Sequence, residues 1–211
     1  MTYDSIATAH SYTEIIQKSK FIVCLYPVCS LDEARDRLAV LRKEHYTATH
    51  LCSATRLAVS PVREQSSDDG EPAGTAGRPM LHVLQQQHLT DITAVIIRYF
   101  GGIKLGAGGL VRAYGGTLAR ALETAPLVRY TPHQRYLVRI PYDLLGRIEN
   151  DWQDRPYRIA ARDFAADVTL TVDVPATLAP SFCTALTDLS AARCEITEAG
   201  TQLIALPRPT T

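Results

Sequence analysis

Ten of the 12 glycines in this 211-residue chain fall between Asp68 and Gly116. From Asp68 the chain reads DDGEPAGTAGRPML, and from Val95 it reads VIIRYFGGIKLGAGGLVRAYGGTLARAL. Glycine inside a helix costs about 1 kcal/mol relative to alanine. A chain accepts so many where its backbone must turn sharply or approach something closely. Between Ile92 and Leu122 there is no Asp or Glu, while Arg98, Lys104, Arg112 and Arg120 are present. Exposed backbone amides beside cations favour anions, so phosphate is the first ligand class to weigh.

The totals describe an ordinary globular chain, 46% hydrophobic and 21% charged, long enough for one large or two small domains. The first 20 residues carry no apolar signal-peptide core, and the strongest apolar run, Ala94 to Ile97, is too short to span a bilayer. Five cysteines without a C-x-x-C pair fit reduced thiols. A cytoplasmic protein with no membrane partner is the expectation. Net charge is zero, but residues 1–136 hold 15 Lys/Arg against 12 Asp/Glu and residues 137–211 hold 7 against 10. A polyanion site would therefore be a local patch on the first half.

Periodicity places a strand over Lys20–Val28 and a helix over Leu31–His45, opened by Ser30 and Glu33 in capping-box spacing. A second strand follows at Thr47–Val59. Ser60–Pro79 has no periodicity and reads as a long loop. A short helix over Pro79–Gln87 precedes a central strand at Asp91–Phe100. The chain then turns at Gly101–Gly109 into a helix from about Leu110 to Thr124. Val111, Tyr114, Leu118 and Ala121 would face its core. Arg112 and Arg120 would flank bare backbone at Gly115 and Gly116 on the exposed side. After Pro126 the pattern is strand, helix, strand, strand, helix, strand, the ferredoxin-like alternation. The composition sets the domain boundary near residue 132, giving domains 1–132 and 133–211.

Several constellations carry candidate chemistry. Gly106, Gly108 and Gly109 could cradle an anion with Arg98, Lys104 and Arg112, or could simply permit tight helix–sheet packing. No Gly-Lys-Ser/Thr follows, so this is not a P-loop, and the third glycine of the dinucleotide fingerprint is missing at Val111. Asp68, Asp69 and Glu71 could hold a hard cation, but lack calcium-loop spacing; pairing with Arg78 or Arg98 is the better reading, and no metal is expected. His50 and Cys52 share one face of a strand. They would form a nucleophilic pair or, more in keeping with their types, a buried thiol beside a hydrogen-bonded imidazole. No serine-nucleophile elbow and no cofactor motif is present, so no cofactor is expected. Of Tyr99, Phe100 and Tyr114, one exposed ring could stack on a base.

These motifs resemble the YigZ/IMPACT family. The resemblance rests on Asp69–Pro72 with Gly74–Met80, on Arg98–Gly106, on Gly108–Tyr114, and on Ala48-x-His50-x-Cys52-x-Ala54. It implies an α+β protein of two domains. The first would resemble domain IV of elongation factor G, an α/β fold shared with GHMP-type kinases; the second would resemble ferredoxin-like domain V of the same factor. Eukaryotic relatives act in translational control and carry a further partner-binding domain, which is not expected in this chain.

The leading expectation is a translation-associated protein that binds RNA or the ribosome through Arg78, Arg98, Lys104, Arg112 and Arg120 beside the glycines. Two alternatives stay open. One is a phosphate-ester or nucleotide-dependent enzyme using the glycine turn with Asp69 or Glu71; the other is a protein-interaction module. A closed pocket uniting those carboxylates with Gly106–Gly109 would favour the enzyme.

Overall fold

The computed structural model describes residues 2–208. The described chain divides into two compact units, one spanning Tyr3–Arg129 with Leu206–Arg208, the other Tyr130–Ala205.

The N-terminal unit is built on an antiparallel sheet in the order β2-β3-β6-β4-β5. Its strands are β2 (His10–Ile16), β3 (Ser19–Pro27), β4 (His50–Leu57), β5 (Arg63–Ser67) and β6 (Ile92–Tyr99). Strand β6 is central, as its apolar run anticipates, and helices cover both of its faces. Ile92, Ala94 and Ile96 face α2 (Gly77–Gln86) and α3 (Gly106–Thr124). Val95 and Ile97 face α1 (Leu31–Glu44), against Leu41. With both faces buried the strand has no polar alternation.

Several sequence expectations shift by local detail. Ser30 Oγ accepts from the Glu33 amide, but Glu33 reaches back to Cys29 N rather than to Ser30. The presumed loop 60–79 contains β5, an exposed edge strand paired with β4. Its sequence, REQSS, has no apolar residue, and all of it but Ser66 is exposed. Helix α3 begins at Gly106, so Gly106, Gly108 and Gly109 lie in its first turn. Val111 is exposed, and Leu110 takes its place in the core beside Ala113 and Tyr114. The Gly115 face is not bare: a Cβ there would meet Pro79 and Val83 of α2 at 3.8 and 3.9 Å. The short strand β1 (Tyr3–Ile6), like β2, had no sequence signal.

The C-terminal unit follows the expected alternation: β7 (Leu127–Ile140, beginning in the N-terminal unit), α4 (Tyr142–Trp152), β8 (Arg158–Phe164), β9 (Val168–Pro175), α5 (Ala179–Leu189) and β10 (Glu195–Pro207). β9 lies between β7 and β8, and β10 pairs with the other edge of β7. Leu144, Ile148 and Trp152, four residues apart on α4, join the alternating Val168, Leu170, Val172 and Val174 of β9 in one core. Phe182 centres it, with its ring 4.9 Å from Tyr136 and 5.2 Å from Tyr157. Among the described residues no helix is long and apolar enough to cross a membrane.

Candidate functional site

Residues opposite one another in an antiparallel sheet share a face. On the α3-covered face of the N-terminal sheet, successive rows run Leu25–Ala94–Ala54, then Val23–Ile96–Cys52, then Phe21–Arg98–His50. Two apolar rows thus end in a row carrying a guanidinium and an imidazole. Arg98 is only 4% exposed. A buried cation needs a counter-charge, and the glycine-rich loop after β5 brings it.

Glu71 Oε1 accepts from Arg98 Nη1 at 2.6 Å and from the Tyr114 hydroxyl at 2.8 Å. Arg98 Nη2 donates to Ser19 Oγ at 3.3 Å. The guanidinium carbon lies 5.5 Å from the ring centres of both Phe21 and Phe100, a cation–π arrangement. Arg98 Nε has no partner among the described residues.

The loop is held in place by its own acidic residues. Asp68 accepts from the amides of Gly74, Ala76 and Gly77 at 2.8–3.0 Å. Burial opposes its charge, but these amides and the Arg78 charge prevail and hold its carboxyl below the usual range. Asp69 takes the Leu51 amide at 2.6 Å and Arg42 Nη2 at 2.7 Å. Gly70 follows with φ +85°, and a Cβ there would sit 3.5 Å from the His50 ring. The three carboxylates therefore point to separate partners instead of converging as cation ligands.

His50 and Cys52 do not form a nucleophilic pair. His50 Nδ1 lies 2.8 Å from the Asp69 carbonyl. A carbonyl only accepts, so Nδ1 carries the proton and Nε2 faces Glu71 Oε2 across 3.8 Å. Cys52 Sγ donates to the Asp68 carbonyl at 3.0 Å and lies 3.4 Å from the Tyr114 hydroxyl. Burial pushes its thiol up to about 12, with the nearby carboxylates adding to the rise. Burial also raises the Tyr114 phenol.

The expected cationic surface divides. Arg98 is buried and neutralised by Glu71, and so cannot serve as an exposed phosphate contact. Arg120 is tied to Glu14 Oε2 through Nη2 at 2.6 Å and Nε at 3.1 Å. Arg78, Lys104 and Arg112 are exposed and make no ion pair among the described residues. Lys18, which sequence reasoning passed over, joins them: Gly101 abuts its backbone so closely that a Cβ would fall 2.1 Å from Lys18 C and O. The antiparallel register of β3 and β6, in which Lys20 opposes Tyr99, sets this contact, which is invisible in sequence. Helix α3 has no side-chain N-cap and no acidic residue in its first turn, leaving its positive end open to an anion.

Between this helix end and the charged row lies a cavity of about 430 Å³ lined by His50, Glu71, Arg98, Phe100, Lys104 and Leu110, with Gly106 and Ala107 at its margin. Asp69 does not line it.

The Impact N-terminal domain family matches residues 17–122, and a domain of unknown function, DUF1949, matches residues 138–193. The IMPACT family member YvyE of Bacillus subtilis is 36% identical over 93% of this chain and 91% of its own length. The IMPACT family member YigZ of Escherichia coli is 41% identical over 84% of this chain and 88% of its own. A crystal structure described as a hypothetical protein superposes with a TM-score of 0.60 at 37% identity, over 94% of this chain and 98% of that one.

Proposed function

This chain belongs to the IMPACT family, and from that premise we propose that it is a translation-associated protein that binds RNA, on or off the ribosome, at the start of α3. One observation supports this reading above the others: the uncapped, glycine-rich first turn of α3 stands among unpaired Lys18, Lys104 and Arg112 with no carboxylate in that turn. Amides and cations of this kind hold phosphates without reading sequence. Phe100, 45% exposed beside them, supplies a ring on which an unpaired base stacks. Arg78, on the first turn of α2, extends the positive charge. Resemblance to domains IV and V of elongation factor G belongs to the same reading. The test is salt-dependent RNA binding by the full chain, compared with charge-reversed variants of Lys104 and Arg112.

A nucleotide-using enzyme is favoured by one observation, the cavity that unites Glu71 and Gly106. Assay of the purified chain for hydrolysis of nucleoside triphosphates and phosphate monoesters tests it. Turnover by the parent chain that is lost in a Glu71→Gln variant shown by thermal melting to be folded supports the enzyme.

A further inference from the structure

The cavity in the N-terminal unit has unlike ends. Phe100, Leu105, Leu110 and Pro72 give it apolar walls. Glu71 and His50 meet at its inner end, where Glu71 Oε2 accepts no hydrogen bond among the described residues and faces His50 Nε2 across a 3.8 Å gap. Lys104, Gly106 and Ala107, at the N-terminal end of α3, line it as well. Arg98, nine-tenths buried, also lines this space, with its charge held by Glu71. A ligand that fits has a flat apolar body, N–H donors on one edge and an anionic group at the opposite end. At about 430 Å³ the space falls in the range of small-molecule sites, roughly 300–1,000 Å³.

We propose that this cavity takes one unpaired nucleotide. Its base lies against Phe100 and Leu110, the donor edge of the base meets Glu71 Oε2 and His50 Nε2, and its phosphate rests on Lys104 and the free amides of α3. A nucleotide of single-stranded RNA and a free nucleoside monophosphate share this chemistry. The RNA form rests on the reading of the preceding subsection.

The experiment uses the full chain and three probes: a short labelled single-stranded RNA, the same strand in a duplex, and nucleoside monophosphates. Ala107→Trp fills the cavity from an exposed position without changing charge, and Phe100→Ala removes the ring; thermal melting checks that both fold. The single strand is expected to bind roughly tenfold tighter than the duplex, and each variant is expected to lose about tenfold on the strand alone. RNA binding that ignores both folded variants overturns the cavity proposal and leaves the RNA reading standing. Monophosphate binding lost in both variants, without RNA binding, supports the cavity for free nucleotides and ends the RNA reading. Binding of neither probe overturns both.

Discussion

Arg98 and Glu71 form an ion pair of 2.6 Å whose side chains are 5% and 3% exposed. It joins the central strand to the glycine-rich loop, so the loop's position depends on a charge placed 27 residues away. Breaking one half leaves the other charged and buried, at a cost of about 3–5 kcal/mol. Glu71→Leu is expected to lose that much in urea denaturation. The double variant Arg98→Met/Glu71→Leu should recover most of the loss, because apolar replacement of both partners is often neutral. A double variant as unstable as Glu71→Leu alone would contradict this account.

Gly101→Ala should destabilise the N-terminal unit by about 1–3 kcal/mol. The new Cβ would sit 2.1 Å from Lys18 backbone atoms, and no rotamer change relieves a clash with main chain. Gly102 has open space around its Cβ position but φ +86°. Gly102→Ala should therefore lose less, about 1 kcal/mol. Denaturation midpoints of the two variants give the comparison.

Asp68 couples stability to acid. Its folded carboxyl titrates below the ordinary value of 3.8, so its contribution is full above that value and is lost as pH falls through the folded one. Asp68→Ala is expected to cost about 1–3 kcal/mol near neutrality. The gap to the parent should hold from about pH 7 to pH 5 and close in stronger acid. A gap that widens below pH 4 would have the wrong sign for this mechanism.

Cys52 should be unreactive although it lies beside His50. Its thiol is pushed up to about 12, first by burial and then by neighbouring carboxylates, so almost no thiolate is present at about pH 8. Iodoacetamide labelling of the folded chain, mapped by mass spectrometry, should modify the exposed Cys29 and leave Cys52 until the chain unfolds.

Charge reversal at the start of α3 should weaken RNA binding and flatten its salt dependence. Each lost phosphate contact lowers the log–log slope by about 0.7 on single strands and 0.9 on duplex. Lys104→Glu with Arg112→Glu is therefore expected to reduce the slope by about 1.4 on single strands and about 1.8 on duplex. An unchanged slope in anisotropy titrations would remove α3 from the interface. Arg98 is unsuited to this test, because its reversal would place a second carboxylate against Glu71 in the core.

Much of this architecture was legible in the sequence. The apolar run of β6, the spacing of Leu144, Ile148 and Trp152, and the six-element alternation of the second half report burial directly, because periodicity records which face is covered. Strand β5 was illegible for the converse reason: as an exposed edge it carries no apolar signature. The site was legible as a composition of glycines, arginines and acidic residues, but not as a set of partners. Arg98 shares the parity of Ile92, Ala94 and Ile96, a clue that it points inward. Charge alone suggested the opposite.

The amino-acid order by itself determined the helices, the two-unit division, the family and every strand but β1, β2 and β5, since each of these depends on local pattern or contiguous motif. Folding in three dimensions decided which cations remain free. Arg98 and Arg120 are neutralised by Glu71 and Glu14, residues distant along the chain, whereas Lys18 is drawn beside Gly101 by a backbone contact. Ion pairing falls off with distance through space and not along sequence, so only the packed chain sorts structural charge from charge that can meet a ligand.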